Sequence, residues 1–164
     1  MKVRTILQFT SFVILVFSTQ ALSQDHARTK EDHQTLKALS GKDIIAINNL
    51  FDTFAKDYEG NNLDGVMAAF AEHAVYLEGK GIDDGKKAIR DDHLAHHFES
   101  NTYLQFKTRD RIIKGKGEFA YVYQIITVQS KRKTSDTPGE ARDRRMLYIL
   151  EKQTDGSWLI ALMK

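Results

Sequence analysis

The sequence predicts an α+β domain in which three helices come first and a curved antiparallel sheet follows. Early in the chain, apolar residues repeat at spacings of three and four, the stripe of an amphipathic helix. After residue 102 the pattern changes to runs rich in aromatic and β-branched residues, which are typical of strands. Helices followed by a block of strands indicate that the helices pack together on the sheet.

The three predicted helices each have a local signal. The first begins at a capping-box-like Ser40-Gly41-Lys42-Asp43. Gly60-Asn61-Asn62 ends it and caps a short second helix. A third is expected over residues 86–98. The apolar stripe of the first helix consists of Ile44, Ile47, Phe51, Phe54 and Tyr58.

The predicted strands begin with a short one over residues 75–78, followed by a glycine-punctuated loop over 79–85. Four longer strands are expected over 103–114, 119–129, 142–152 and 157–163, with a long loop at 130–141 that holds the only proline. Large side chains expected in the core are Phe51, Phe70, Phe119 and Trp158.

The N-terminus predicts export. Lys2 and Arg4 precede a nearly continuous apolar run over residues 6–17, and Ala21-Leu22-Ser23 supplies small residues at a cleavage site. The run is shorter than the roughly 20 residues that span a bilayer. We therefore expect a signal peptide at 1–23, cleavage near Ser23, a periplasmic or secreted product and no stable membrane anchor. Residues 24–39 are predicted to be a flexible lead-in, and 40–164 a single domain.

The charge and cysteine content exclude two classes of protein. Lys2 and Arg4 would leave with the signal peptide, so equal numbers of basic and acidic residues would stay in the mature chain. Nucleic-acid binding normally requires a clear basic excess, and we expect no such partner. With no cysteine, the chain forms no disulfide and carries no cysteine-linked lipid.

Three stretches carry a family resemblance: GNNLDGVMAAFAEHAVYLEGKG, GKKAIRDDHL and DGSWLI. Together they resemble the nuclear transport factor 2-like superfamily, in its SnoaL-like and ketosteroid-isomerase-like branches, over residues 43–163. The resemblance implies a cone-shaped fold with an internal cavity, a small hydrophobic ligand and a homodimer formed through the outer sheet face. This fold hosts isomerases, cyclases, dehydratases, non-catalytic binders and interaction modules, so it leaves the function open.

The resemblance also implies catalytic and pocket residues. Glu78 occupies the position of the isomerase's general-base aspartate, and it alternates with Leu77, so it points to the opposite face of its strand. A solvated glutamate at a strand end is the alternative. The isomerase's oxyanion-binding tyrosine and acid fall on Phe54 and near Tyr148, so steroid isomerisation is not expected. The remaining expected pocket residues are Tyr76, His97 and Tyr123; for Tyr123 a dimer surface is the alternative.

The stretch DDHLAHHFES, residues 91–100, has three interpretations. In a regular helix His93 and His97 lie about 40° apart, one turn above the other. In the first interpretation His93 faces Glu78 across the cavity as its proton partner. In the second, His93 and His97 join Glu78 to bind zinc or copper, since two histidines and a carboxylate suit these ions. In the third, the cluster is a solvated helix surface. The first gives acid/base lyase or isomerase chemistry, and the others a binding or interaction module.

Overall fold

The computed structural model describes residues 37–79 and 81–164. The predicted signal peptide and the lead-in as far as residue 36 lie outside the described residues. The end of the lead-in is paired: Gly117 N–H donates to Lys37 O at 2.7 Å, and Ala38 bridges to Lys116. Among the described residues, no helix has the length and apolarity needed to cross a membrane.

Helix α1 (Gly41–Glu59) begins at the predicted capping box. The Asp43 N–H donates to Ser40 Oγ at 3.2 Å, and the Ser40 N–H donates back to Asp43 Oδ2 at 3.0 Å. The predicted stripe is buried from Ile47 to Tyr58, so α1 presents one apolar face to the sheet. The chain turns at Gly60 into α2 (Leu63–Ala68), where Asn62 Oδ1 accepts from Gly65 N–H at 3.1 Å.

Six strands form one sheet in the order β2-β1-β6-β5-β4-β3. All neighbours are antiparallel except β1 and β6, which are parallel. The helices pack on its concave face and leave an internal cavity. The strands are β1 (Phe70–Glu78), β2 (Gly81–Asp84), β3 (Asn101–Lys116), β4 (Phe119–Arg132), β5 (Arg142–Lys152) and β6 (Trp158–Met163).

The first strand and the segment after it differ from the prediction. β1 begins at Phe70, five positions before the predicted 75–78, because Phe70 already pairs with Ile160 of β6. The loop expected over 79–85 contains β2, which pairs with β1 from Glu78–Gly81 to Val75–Asp84. The two strands form a hairpin, and the predicted loop was wrong over 81–84.

The third predicted helix contains a π-helical turn. It consists of α3 (Lys86–Ala88), a π-helix (Ile89–Leu94) and α4 (Ala95–Ser100). Ile89 and Leu94 are both buried although they are five positions apart. In a regular α-helix their side chains would point about 140° apart. The wider π turn therefore brings both apolar side chains to the core.

The core lies between the helices and the concave face of the sheet. Phe51, Phe70 and Trp158 are buried there, as predicted. The prediction for Phe119 was wrong, because its side chain is 62% exposed. In β4 the buried residues Ala120, Val122, Gln124 and Ile126 alternate with more accessible ones, so Phe119 begins the row on the outer face.

Candidate functional site

A cavity of about 400 Å³ lies between the helices and the sheet. Six of its lining residues are phenylalanine or tyrosine, and several of these rings contact one another. Tyr58 stacks on Phe106 with ring centroids 4.3 Å apart, and Phe54 meets Tyr148 edge-on at 6.4 Å. A cavity of this size, with aromatic residues and with polar groups such as Glu78, His93 and Arg144, fits a small molecule that carries both apolar and polar groups. The aromatic lining consists of Phe54, Tyr58, Tyr76, Tyr103, Phe106 and Tyr148.

The β1–β2 hairpin brings two carboxylates to the same face. Tyr76 and Glu78 alternate with Leu77 and line the cavity. Asp83 is paired with Tyr76 in the register, so its side chain lies on that face too. Sequence reasoning missed Asp83 because it assigned its segment to a loop. The alternation in Gly81-Ile82-Asp83, directly after the glycine of a tight turn, was the available signal.

His93 is carried by the π-helical turn. Gly85, with φ of +92°, precedes this helix, and its N–H donates to Ala74 O of β1 at 2.9 Å. Ile89 and Leu94 anchor the turn in the core, and the His93 side chain is left only 11% exposed. π turns within helices occur frequently at functional sites, and here the turn sets the direction of His93.

His93 lies between two carboxylates and two rings. Its Nδ1 is 3.4 Å from Glu78 Oε2 and 3.6 Å from Asp83 Oδ2. The ring centroids of Tyr76 and His97 lie 4.5 Å and 4.8 Å from that of His93. The two carboxylates differ in accessibility, since the Glu78 side chain is 57% exposed and that of Asp83 is 23% exposed. Glu78 therefore lies where the cavity opens to solvent.

Burial lowers the pKa of the His93 imidazole below its ordinary value, and His97 acts in the same direction. Glu78 and Asp83 only partly oppose this. The imidazole is therefore neutral near pH 7. Both oxygens near Nδ1 are acceptors, so the tautomer with a proton on Nδ1 fits this position. A neutral N–H at this position faces the Glu78 carboxylate at 3.4 Å.

Tyr148 lines the cavity, and its hydroxyl is itself buried. The residue is fully buried, and its Oη has no hydrogen-bond partner among the described residues. The Gln124 side chain accepts a hydrogen bond at Oε1 from Arg111 Nε at 3.2 Å, and it also lies close enough to the Tyr148 phenol to lower its pKa as a hydrogen-bonding neighbour. Burial raises the pKa of the Tyr148 phenol above its ordinary value, so the group is a neutral donor. A buried hydroxyl without a partner suits a ligand that supplies an acceptor.

Glu78, His93 and His97 form a possible metal-binding cluster. One ligand atom from each lies within 4.8 Å of the others. Two imidazoles and one carboxylate are a donor set used for zinc, and the cavity would supply the open position. The His93–Glu78 distance of 3.4 Å matches the ligand separation around a tetrahedral ion of this kind.

The structure places most of the predicted pocket residues together. Phe54, Tyr76, His97 and Tyr148 line the cavity with Glu78 and His93. Tyr123 does not, because it follows the outward alternation of β4 with Tyr121. His96 also lies outside the cavity and approaches Glu99 at 3.9 Å on the surface. Arg144, which the sequence shows only as part of a basic run, shares the inward face of β5 with Tyr148.

The family model of the SnoaL-like domain matches residues 47–163. The chain belongs to the SnoaL-like domain family. The match covers the cavity, Glu78 and His93, and it confirms the resemblance to the nuclear transport factor 2-like superfamily. No curated protein matches this SnoaL-like chain.

Solved structures show the same fold at low sequence identity. A ketosteroid isomerase-like protein from Erwinia carotovora atroseptica is 16% identical with a TM-score of 0.63, covering 76% of this chain and 95% of its own. A nuclear transport factor 2-like protein from Salmonella enterica is 11% identical with a TM-score of 0.67, covering 74% and 88%. A cystatin-like-fold protein from Nostoc punctiforme is 18% identical with a TM-score of 0.59, covering 76% and 90%. These similarities show the fold alone, and the SnoaL-like family supports a small-molecule-binding or isomerase-type role.

Proposed function

We propose that this SnoaL-like protein binds a small hydrophobic molecule in the cavity and catalyses proton transfer of the lyase or isomerase type. Glu78 is the base and His93 is its partner. The observation that carries the proposal is the 3.4 Å approach of His93 Nδ1 to Glu78 Oε2 at the accessible side of an aromatic cavity. A carboxylate and an imidazole within reach of each other and of a bound ligand are the usual components of general acid–base catalysis.

The proposed reaction begins at a C–H bond next to a carbonyl group. Glu78 takes the proton, the electron pair of the C–H bond forms a carbon–carbon double bond, and the π pair of the carbonyl group moves to its oxygen. The neutral Tyr148 hydroxyl, which is buried and unpaired, donates a hydrogen bond to the resulting oxyanion. The His93 Nδ1–H orients the Glu78 carboxylate. In an isomerase the carbonyl re-forms as Glu78 returns the proton to another carbon of the conjugated system. In a lyase the carbonyl re-forms as a group leaves the next carbon with the electrons of its bond and takes the proton from Glu78.

Deuterium exchange tests this proposal without knowledge of the natural substrate. The ketone 2-tetralone is a small bicyclic molecule with acidic C–H bonds next to its carbonyl. In D₂O, proton NMR measures how fast those positions gain deuterium. Because Glu78 is accessible to solvent, a proton that it removes can exchange with deuterium before it returns.

The expected result is exchange well above the buffer rate with the unaltered protein. Glu78→Gln should lower the protein-dependent rate by about 100-fold or more, the usual contribution of a general base. His93→Gln should also lower it, whereas His96→Gln, on the exposed side of the same helix, should not. Equal rates in the unaltered protein and Glu78→Gln would contradict the proposal.

Metal binding is a second candidate function, supported by the close approach of Glu78, His93 and His97. In this alternative the protein holds zinc or copper without acting as a base. Titration calorimetry with each metal should show stoichiometric binding that His97→Ala abolishes, while Glu99→Gln on the outer helix surface leaves it unchanged. Loss of metal binding with retained deuterium exchange in His97→Ala would separate the two functions, because proton transfer does not use His97.

A further inference from the structure

Arg144 lies at the edge of the candidate site, because the alternation of β5 turns it toward the cavity while the residue stays exposed. Arg144, Met146 and Tyr148 share the inward face and line the cavity. Among the described residues that line it, Arg144 is the only lysine or arginine. It lies near the start of β5, and Ser130 lies near the end of β4, so both are at the end of the sheet where residues 133–141 connect these strands. This end of the cavity is therefore polar and positively charged.

The Arg144 guanidinium has no ion-pair partner among the described residues, although Glu78 lines the same cavity. Arg111 on β3 provides the contrast. Its side chain is 10% exposed, and its guanidinium donates to Asn48 Oδ1 at 2.8 Å and Asp52 Oδ1 at 3.1 Å. Arg111 thus has its own partners within the fold, whereas the fold leaves Arg144 free to contact a molecule in the cavity.

The tyrosines around the cavity respond to the charge of Arg144. Burial raises the pKa of Tyr76 to about 12, and the Arg144 charge opposes that rise. Burial also raises the pKa of Tyr103, and Arg144 again acts in the opposite direction. The Arg144 charge therefore acts on the phenols of Tyr76 and Tyr103, which line the same cavity.

We propose that the natural ligand of the cavity is a small aromatic carboxylate, bound through its carboxylate to Arg144. One guanidinium matches one carboxylate in a two-point hydrogen-bonded pair. Phosphate sites normally gather several cations or backbone N–H groups, and only one full positive charge lines this cavity among the described residues. The ring of the ligand lies against Tyr58, Tyr103 and Phe106, and an acceptor oxygen reaches the unpaired Tyr148 hydroxyl.

This inference deepens the proposed function by naming its substrate class, and it rests on the same cavity. Its test is a binding measurement that does not require turnover. The probes are 2-naphthoate and 2-naphthamide, which have the same ring system and differ in the charge of one group. Titration calorimetry compares the unaltered protein with Arg144→Gln. Arg145→Gln is the matched control, because Arg145 follows the opposite alternation on β5 and is absent from the cavity lining.

The unaltered protein should bind 2-naphthoate at least about tenfold more tightly than 2-naphthamide, as a charge-assisted hydrogen-bonded pair allows. Arg144→Gln should remove this preference and leave the affinity for 2-naphthamide unchanged, and Arg145→Gln should keep the preference. Equal affinity for both probes, no binding of either, or a preference that survives Arg144→Gln would overturn the inference.

The outcomes also separate this inference from the proposed function. Glu78→Gln should still bind 2-naphthoate in preference to the amide, because Arg144 is intact. Arg144-dependent binding without any deuterium exchange would support the ligand class and contradict the proton-transfer chemistry. Deuterium exchange without a preference for 2-naphthoate would support the proton-transfer chemistry and contradict the ligand class.

Discussion

His93 Nδ1 lies 3.4 Å from Glu78 Oε2, and this contact joins the π-helical turn to strand β1. Each partner is fixed by its own element. The β1–β2 register sets the face of Glu78, and the buried pair Ile89 and Leu94 sets the rotation of the turn that carries His93. The relative position of the two side chains is therefore built into the packing before any ligand binds, as a preorganised site requires.

Tyr148→Phe should affect the deuterium-exchange rate without lowering the free energy of unfolding. The ring would keep its contact with Phe51, whose centroid is 4.7 Å away, and the variant loses only an unpaired buried hydroxyl. We expect the free energy of unfolding, measured with urea, to stay constant or rise by up to about 1 kcal/mol, because an unsatisfied buried group is costly. Deuterium exchange of 2-tetralone should fall. Tyr123→Phe, on the outer face, should leave the exchange rate unchanged.

A strong loss of stability in Tyr148→Phe would contradict this account. It would mean that the hydroxyl supports the fold through a hydrogen bond and is not available to a ligand.

The hydrogen bonds of the Asp43 carboxylate lead us to expect that the free energy of unfolding falls in acid. It accepts hydrogen bonds from Lys152 Nζ at 2.7 Å, from Ser40 Oγ at 2.7 Å and from Trp158 Nε1 at 3.2 Å. The Lys152 contact and then the Ser40 contacts hold the pKa of Asp43 well below its ordinary value. Since the folded pKa is depressed, this stabilisation is present above the unfolded pKa of about 4 and is lost as the pH falls toward the folded pKa.

Asp43→Asn should therefore lower the free energy of unfolding at pH 7 by about 2 kcal/mol, the scale of hydrogen bonds to a charged group. Urea unfolding at pH 7 and pH 3 measures the effect, and the difference between the two proteins should shrink at pH 3. The exposed Asp136→Asn is the control. A difference that is the same at both pH values would argue against a role for the Asp43 charge.

The outer face of the sheet predicts a homodimer. Tyr121 and Ile149 are paired across β4 and β5, and both are exposed. Ile112, Leu147 and Phe119 extend the exposed apolar surface over three strands. A continuous apolar patch of this kind marks an interaction surface, and the family resemblance names a second copy as the occupant. We expect a dimer by light scattering, and a monomer with intact 2-naphthoate binding after Tyr121→Glu/Ile149→Glu.

Ile82→Glu is the control for the dimer, because Ile82 is also an exposed apolar residue but lies on β2, away from this patch. It should remain dimeric. A monomeric unaltered protein at micromolar concentration would rule out the homodimer.

The N-terminus predicts a processed, exported protein. Expression of the full chain in a Gram-negative host should give a periplasmic or secreted product whose intact mass starts at Gln24. Ala21→Lys should block cleavage, because the peptidase requires a small residue at that position. A full-length product that stays in the cytoplasm would show that residues 1–23 are no signal.

Local patterns in the sequence predict the helix face and the strand alternation well. The stripe from Ile47 to Tyr58 and the capping box at Ser40 depend on neighbours within one or two turns, so they are visible in the sequence. The same is true of Glu78, whose face follows from its alternation with Leu77. The family resemblance then supplied the cavity to which that face belongs.

Features that depend on distant neighbours were not predictable. The π turn forms because Ile89 and Leu94 both reach one core, a tertiary demand that no local period encodes. The strand over Gly81–Asp84 depends on pairing with β1. The position of Asp83 depends on the same pairing. Phe119 and Tyr123 share an apolar outward face of β4, and hydrophobicity alone cannot distinguish an outer interaction surface from the core.

A crystal structure of the protein with 2-tetralone bound tests the central claim most directly, because it shows where the reacting carbon lies. The account predicts the ketone oxygen within hydrogen-bond distance of the Tyr148 hydroxyl and the adjacent methylene carbon against the Glu78 carboxylate, inside the aromatic cavity. Density for the ligand in the groove that Leu50 and Trp158 line, with the Tyr148 cavity empty of it, would contradict the account.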